Sequence, residues 1–309
     1  MYIFKLNNIL IGTFYACISA TLGGSTFVFT RLILPQTDAF TLCFLRYLSI
    51  LVILLLIFRP KIFSTEYQAH DFLKISLLGV VYFGGFPICV AIGLILTQAS
   101  DASLLFATMP IWTAFMSSLF GIDTFNRLKQ LSVLLACSGI YIAISGNYWG
   151  QSFFSNFIGN LFVVGGAIFA SFFTVFAGGY ISKYGNILIL SITMTSGVFS
   201  MFIMMLFFGE PLTNLVNFDL VGWLTIAFLV LPGGVLMMLC WMKALELIKP
   251  IHVSICLAFN PLSAALLAFF VLNESLRKEF FLGTVLVFLA IFLAQINESK
   301  ILRIKNKGL

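Results

Sequence analysis

The sequence predicts an all-α integral membrane protein with ten transmembrane helices, arranged as two five-helix repeats of inverted topology. Three observations predict this fold class: the composition, the placement of the basic residues, and an internal repeat. Of the 309 residues, 61% are hydrophobic and only 9% are charged, whereas a soluble domain has about 25% charged residues. Phenylalanine occurs 36 times, against 17 basic and 11 acidic residues. This composition cannot cover a sizeable water-exposed domain, which excludes most soluble enzymes and nucleic-acid-binding proteins.

Ten apolar segments, separated by charges, proline or glycine, are long enough to be membrane-spanning helices. A helix needs about 20 apolar residues to cross the hydrocarbon core, and the segments lack the alternation that is typical of membrane β-strands. The predicted spans are 9–30, 40–58, 72–96, 101–120, 128–146, 157–180, 186–208, 219–244, 251–272 and 279–297. The alternative for the first span is a signal peptide with Lys5 as its basic flank, but the apolar run extends to Phe29.

The basic residues predict that both termini are cytoplasmic. With the N-terminus inside, 13 Lys and Arg residues fall on the cytoplasmic side, and three fall outside: Arg31, Arg277 and Lys278. Such an excess on one side sets the orientation of membrane proteins. The net charge of +6 is therefore interpreted as a topology signal, and the expected location is the inner (plasma) membrane.

The chain contains an internal repeat at a shift of 151 positions. Residues 98–144 align without a gap on 249–295, so that Pro110 matches Pro261 and Asp123 matches Glu274. Each half then has five helices, and because five is odd, the halves must have opposite orientations. The predicted repeats are residues 1–148 and 149–309.

The repeated segments also carry a family resemblance. In the first half they are Ala99-Ser100-Asp101-Ala102-Ser103-Leu104-Leu105, Pro110 and Gly121-Ile122-Asp123-Thr124; in the second half they are Val253-Ser254, Asn260-Pro261 and Asn273-Glu274-Ser275-Leu276; the second helix adds Phe44-Leu45-Arg46-Tyr47. This pattern resembles the EamA family of the drug/metabolite transporter superfamily, although Asp123 stands where that family usually has glutamate. The resemblance implies a ten-helix transporter with a central cavity lined by helices 1, 3, 4, 6, 8 and 9.

Polar and aromatic residues near the predicted centre of the membrane are the candidate substrate-binding residues. They are Ser25, Thr26, Arg46, Tyr82, Thr108, Trp112, Phe173, Thr174, Trp241 and Asn260. Such an amphipathic wall suits a substrate with a polar head and an apolar body, such as an amino acid. Asn260 is the strongest candidate, because its amide has four hydrogen-bonding positions to satisfy in a low-dielectric site. Arg46 could bind an anionic substrate group, cap the carbonyls of a neighbouring helix, or extend to the membrane surface.

Four prolines inside the predicted spans are candidate hinges. They form two matched pairs, Pro87 with Pro232 and Pro110 with Pro261. A proline inside a helix removes a donor and displaces the carbonyl four residues earlier, so Pro110 and Pro261 are expected to kink their helices and to free the carbonyls of Phe106 and Leu257. The kinks either shape the bundle only or also serve as hinges of alternating access.

Small residues recur at four-residue steps in helices 1 and 6. They are Gly12, Ala16, Ala20 and Gly24 in the first and Gly166, Ala170, Thr174 and Gly178 in the second. This spacing predicts tight helix packing, with space for substrate as the alternative.

Energy coupling has one weak candidate, His252. It lies at the position equivalent to Asp101, at the start of helix 9, and histidine titrates near neutral pH. Asp101 is expected to cap helix 4. No Asp or Glu falls at mid-membrane, which favours a facilitator or a less obvious coupling mechanism over a buried-carboxylate proton relay.

The sequence gives no support for an enzyme, a cofactor or a metal site. The six cysteines lie in apolar runs without CxxC spacing, and the chain lacks HExxH, GxSG and DDxxD motifs. The leading hypothesis is a secondary transporter that exports amino acids or similar metabolites by alternating access. The alternatives are a carrier of drugs or nucleotide-linked metabolites and a non-transporting scaffold or sensor. The expected partners are a small-molecule substrate and the lipid bilayer, without nucleic acid; a homodimer is compatible with the sequence.

Overall fold

A computed structural model describes residues 2–63, 68–121, 127–145, 153–210, 218–247, 256–257, 259–275 and 277–305, and these residues contain no β-strand. Long runs of apolar residues form helices here because a helix pairs every interior backbone group within the segment, which lipid requires. The helices are α1 (Tyr2–Ile33), α2 (Ala39–Phe63), α3 (Ala69–Gly79), α4 (Phe86–Leu96), α5 (Ala99–Phe106), α6 (Met109–Leu119), α7 (Arg127–Ser145), α8 (Phe153–Tyr184), α9 (Asn186–Phe208), α10 (Leu220–Val230), α11 (Met237–Leu247), α12 (Phe259–Leu272) and α13 (Lys278–Lys305).

Seven helical stretches in the described part of the chain are long and apolar enough to cross a membrane. They are Leu10–Gln36, Ala39–Arg59, Ala69–Leu96, Ala99–Leu119, Phe154–Tyr184, Asn186–Phe208 and Leu220–Ala244. Two shorter apolar helices, Gln130–Ala143 and Phe259–Leu272, fall in the predicted fifth and ninth spans, and α13 covers the tenth. The all-helical membrane fold is therefore confirmed, whereas the number of ten spans and the inverted repeat remain predictions.

Two π-helical segments interrupt the third and eighth predicted spans. Val80–Gly85 joins α3 to α4, and Leu231–Leu236 joins α10 to α11, so the two segments differ by the 151 positions of the sequence repeat. Pro87 lies in the first turn of α4, and Pro232 lies within the second segment. Since proline lacks the N–H that an α-helix needs, a local π turn is a common way to accommodate it.

The structure corrects the expected kink in the fourth span. The helix is broken rather than bent, because α5 ends at Phe106 and α6 begins at Met109 after a short turn. Pro110 therefore lies in the first turn of α6, where its missing N–H costs no hydrogen bond. Pro261 likewise lies in the first turn of α12, and the Leu257 carbonyl expected to be free accepts the Asn260 N–H at 3.0 Å.

The helix contacts correspond across the shift of 151 positions. Helix α1 of the first half packs against α11 and α12 of the second half. Helix α8, the counterpart of α1, packs against α4 and α6 of the first half, which are the counterparts of α11 and α12. The equivalent helices α2 and α9 pack against each other, as do α7 and α13. Large apolar side chains point away from this bundle; Leu56, Phe207 and Phe270 are 72%, 77% and 75% exposed. An apolar outer surface of this kind suits contact with lipid.

Candidate functional site

A row of five aromatic rings crosses the middle of the bundle. Tyr82, in the first π segment, stacks on Phe173 of α8 with ring centroids 4.4 Å apart and on Phe86 of α4 at 5.5 Å. Phe86 stacks on Phe106 at the end of α5, 5.0 Å away, and Phe106 contacts Phe27 of α1 at 5.8 Å. We call these five residues the aromatic row. It brings together two sequence-predicted residues, Tyr82 and Phe173, and offers π faces on which an apolar or planar group can stack.

Asn260 provides a buried polar atom near one end of this row. The residue is 5% exposed, and its backbone carbonyl accepts the Ser263 hydroxyl at 3.0 Å, but its side-chain Oδ1 has no hydrogen-bond partner among the described residues. The amide lies against Gly23, where an added Cβ would be 2.7 Å from Oδ1. Gly23 and Phe27 are one helical turn apart, and therefore lie on the same face of α1. A buried unpaired amide oxygen costs about 1–3 kcal/mol, so a donor on a bound molecule would be favourable here.

An apolar recess of about 260 Å³ opens between α1 and α12. It is lined by Phe14, Cys17, Ile18, Thr21, Leu22 and Phe259. Leu22 and Phe259 immediately precede Gly23 and Asn260, but successive residues of a helix face different directions. Phe259 is exposed, whereas Asn260 is buried. Its volume is below the roughly 300–1,000 Å³ that is usual for pockets of drug-sized ligands. Since Phe14 and Phe259 are exposed, the recess opens to the outer surface of the bundle.

Arg46 caps a backbone carbonyl in the second π segment. Its Nη2 donates to the Gly233 carbonyl at 3.3 Å, and its guanidinium lies 5.3 Å from the centre of the Tyr47 ring. Its Nε is buried, and no residue in the described part of the chain provides a hydrogen-bond partner for it. Of the three roles that the sequence left open, the structure provides contacts for the carbonyl-capping one, while the unpaired Nε leaves a donor for an anionic or carbonyl group.

Two sequence-predicted residues on α1 are satisfied within their own helix. Ser25 Oγ donates to the Leu22 carbonyl at 2.6 Å, and Thr26 Oγ1 donates to the Gly23 carbonyl at 2.7 Å. Both residues are buried. Their hydroxyl protons are therefore used, and each oxygen can act toward a ligand only as an acceptor.

Thr108 and Trp112 form a pair at the break between α5 and α6. The Trp112 indole N–H donates to Thr108 Oγ1 at 3.2 Å, and that hydroxyl donates to the Leu105 carbonyl at 2.6 Å. Ser171 of α8 lies at the same break; its hydroxyl is 2.7 Å from the Ala167 carbonyl of its own helix and 3.0 Å from the Met109 carbonyl. Trp112 is partly exposed, whereas Thr108 is buried.

The remaining sequence-predicted residues lie elsewhere. Trp241 packs in a separate cluster with Tyr15 and Cys256, and Thr174 is an exposed residue of α8 whose hydroxyl donates to the Ala170 carbonyl at 2.8 Å. His252 lies outside the described residues. In the described ranges, no group of three or more His, Cys, Asp or Glu residues could hold a metal ion.

Two ion pairs at one end of the bundle were not anticipated from the sequence. Arg31 pairs with Glu274 at 2.9 Å, and Arg277 pairs with Asp101 at 2.8 Å. Asp101 lies in the first turn of α5, where it is expected to cap the helix, and Glu274 from the opposite half accepts the Ala99 N–H there, at 2.9 Å. The available signal was the match between Asp123 and Glu274 in the repeat, which marked the loop without revealing its partners.

Comparison with known proteins places this architecture among transporters. The model of the EamA-like transporter family matches residues 10–145 and 157–295. The thiamine-repressible mitochondrial transport protein THI74 of Saccharomyces cerevisiae is 27% identical over 237 residues, which are 73% of this chain and 63% of that protein. The uncharacterized transporter YdfC of Bacillus subtilis is 31% identical over 144 residues, 47% of this chain and 46% of YdfC.

One further relative agrees with this placement, and one solved structure shares the fold. The uncharacterized inner membrane transporter YedA of Escherichia coli K12 is 25% identical over 209 residues, 64% of this chain and 62% of YedA. The matched regions thus span less than two thirds of the length of all three relatives. A solved structure described only as the crystal structure of a protein has a TM-score of 0.66 at 14% identity, covering 94% of this chain and 96% of that one. This last similarity shows the fold alone.

Proposed function

The chain belongs to the EamA-like transporter family, and from that premise we propose that it is a secondary transporter that exports small amphipathic metabolites, such as amino acids, by alternating access. The observation that carries the proposal is the Asn260 Oδ1, which has no hydrogen-bond partner among the described residues and lies against Gly23, on the face of α1 that also carries Phe27 of the aromatic row. A substrate donor can pair with this oxygen while the apolar part of the substrate contacts aromatic and aliphatic side chains. Both termini are proposed to be cytoplasmic, in accordance with the distribution of Lys and Arg.

Substitution of the central polar residues tests this proposal. Asn260→Leu removes the amide, and Trp112→Leu removes an indole whose N–H bonds to Thr108; we expect each variant to transport about tenfold more slowly, which corresponds to about 1.4 kcal/mol. Phe270→Leu is the matched control, because Phe270 is 75% exposed on the outer surface. Efflux from cells, normalised to the amount of folded protein, is the measurement. Unchanged flux in both central variants would favour the scaffold or sensor alternative.

The substrate class is tested by growth. Cells sensitive to external amino acids or dipeptides are grown with and without the gene, and we expect the gene to relieve toxicity by lowering the internal concentration. Proteoliposomes loaded with the amino acid identified by the screen then measure transport directly. A rate equal to that of protein-free liposomes, for every metabolite that relieves toxicity, would contradict the proposal.

Proton coupling through His252 remains a proposal and is tested separately. If His252 carries the coupling proton, His252→Gln should abolish the response of flux to an imposed pH gradient while exchange of substrate continues. A facilitator would show no response to the gradient in either protein. We favour the facilitator, since the acidic residues Asp71 and Asp101 lie in first turns of helices rather than at mid-span.

A further inference from the structure

The two halves of the structure differ in burial at equivalent positions of α12 and α6. Ala264 and Ala265 of α12 are 0% and 2% exposed. Their counterparts, 151 positions earlier, are Thr113 and Ala114 of α6, and both are partly exposed. The same stretch of helix is therefore enclosed near the end of the bundle that holds Glu274 and accessible near the opposite end.

Equivalent positions of α1 and α8 show the same difference. Phe27 and Val28 of α1 are 5% and 0% exposed. Ser19 of α1 contacts the Met237 carbonyl, and Gly166 of α8 lies against the equivalent Phe86 carbonyl. The counterparts of Phe27 and Val28 in α8 are therefore Thr174 and Val175, which are exposed and partly exposed. The seam between the halves is thus closed at one end and open at the other. In the proposed orientation the closed end is the outer one.

Glu274 joins three segments at the closed end. Its Oε1 accepts Arg31 Nη1 of α1 and the Ala99 N–H of α5, each at 2.9 Å, and its Oε2 accepts the Ser100 hydroxyl at 2.9 Å. The same Arg31 nitrogen also donates to the Thr97 carbonyl at 2.5 Å. Glu274 belongs to the second half of the chain, whereas its three partner residues belong to the first, so these bonds cross the seam.

Arg277 makes a second connection across the seam. Its Nη2 donates to both carboxylate oxygens of Asp101, at 2.8 and 2.9 Å, and to Gln98 Oε1 at 3.1 Å. Its Nη1 donates to the Ala143 carbonyl of α7 at 3.3 Å. Asp101 is 1% exposed, and a carboxylate this deeply buried is strongly disfavoured without its cation. The start of α5 can leave the loop after α12 only when both ion pairs are broken and their charges are hydrated.

We infer that the pairs Arg31–Glu274 and Arg277–Asp101 are the outer gate of the transporter, which closes the seam in this conformation and separates when the outer side opens. The role of this gate in a transport cycle rests on the proposed function. Whether the two ion pairs close the outer side can be measured by accessibility alone. The gate residues are positioning residues: they hold α5 against the loop after α12, at the end of the bundle away from the recess.

Accessibility of a reporter cysteine tests the gate without any substrate. Ala265→Cys is introduced into a full-length chain whose six native cysteines are replaced, and intact cells are treated with a membrane-impermeant maleimide from outside. We expect slow labelling with the gate intact and at least about tenfold faster labelling when Glu274→Gln or Asp101→Asn is added, because each change removes a buried negative charge from its arginine. Asp71→Asn is the matched control; it breaks the 2.7 Å pair with Lys183, which lies elsewhere, and should leave labelling unchanged.

The outcomes separate the gate from the transport function. Unchanged labelling in both gate variants, each verified as folded, overturns the inference even if transport is confirmed. Faster labelling supports the gate even if no substrate is found. If either neutral variant fails to fold, the double variant Asp101→Arg with Arg277→Asp is used instead, and Arg277→Asp alone is its reference. Fast labelling in the single variant and slow labelling in the double variant would support the ion pair. Fast labelling in both variants would overturn the inference.

Discussion

At the scale of single residues, buried polar atoms that have no hydrogen-bond partner among the described residues mark positions where a ligand could bind. Asn260 Oδ1 and Arg46 Nε are two such atoms, and both residues could be singled out from the sequence because amides and charges are rare in apolar spans. Their partners could not be predicted. The contact between Arg46 and the Gly233 carbonyl joins positions 187 residues apart and depends on a π segment that sequence rules do not specify.

The role of Arg46 leads to a prediction about charge and shape. Arg46→Lys keeps the positive charge but loses the planar group that lies near the Tyr47 ring; Arg46→Gln loses both the charge and that group. If capping of Gly233 is the main role, both variants should lower the free energy of unfolding by about 1–3 kcal/mol, with similar effects on flux. Thermal denaturation in detergent and efflux assays measure the two quantities. A lysine variant with normal flux beside an inactive glutamine variant would instead indicate recognition of an anionic substrate group.

Asp219 gives a prediction about pH. The Gly222 N–H, 2.6 Å from its carboxylate, and then the Gln36 amide hold the pKa of Asp219 below its usual value. A lowered folded-state pKa stabilises the fold above the unfolded-state pKa of about 3.9, and this stabilisation is lost as the pH falls through the folded-state value. Asp219→Ala should therefore lower the Tm at pH 7, with a difference from the wild type that shrinks below about pH 4. Asp219→Asn, which still caps α10, should show a smaller decrease without this pH dependence.

At the scale of elements, proline positions predicted where helices are interrupted but not how. Pro87 and Pro232 are accommodated by π segments, whereas Pro110 begins a new helix. The local sequence does not distinguish these outcomes, because they depend on packing between helices. At the break, for example, the Met109 carbonyl lies 3.0 Å from the Ser171 hydroxyl of α8 and 3.0 Å from the Thr113 hydroxyl of its own helix. The small residues at four-residue spacing predicted tight helix packing more reliably in α1 than in α8. Gly24 packs closely, as expected, although the same step in α8 ends at the exposed Gly178.

This contrast between two glycines can be measured. A Cβ at Gly24 would overlap the Asn260 carbonyl oxygen and Ser263 Oγ of α12, so Gly24→Ala should destabilise the protein by about 1–3 kcal/mol. Gly178→Ala is the matched control on an open helix face, where alanine is favoured over glycine by about 0.5–1 kcal/mol. We expect a lower Tm for the first variant and an equal or higher Tm for the second. Equal Tm values in both variants would mean that α1 and α12 do not pack as closely as the structure indicates.

At the scale of the whole molecule, composition and charge placement were sufficient to predict a helical membrane protein, because they depend on solvent and not on packing. The ion pairs of the outer gate could not be predicted from composition and charge placement. Arg31 and Glu274 are 243 positions apart, and each had an adequate local explanation as a topology charge or a loop residue. Only the three-dimensional arrangement, in which α5 of one half meets the end of α12 of the other, makes them partners.

The inverted repeat makes a prediction that depends on the count of spans in each half. Five spans before residue 148 place that residue on the opposite side of the membrane from the N-terminus, whereas four or six would return it to the same side. Alkaline phosphatase, which is active only outside the cytoplasm, should therefore be active when fused after residue 148 and inactive when fused after Leu309; a fluorescent protein that folds only in the cytoplasm should show the reverse. Because the Lys and Arg excess sets the overall orientation, activity of the same reporter at both positions would require an even number of spans in the second half, and the two halves could then not be inverted copies of one another.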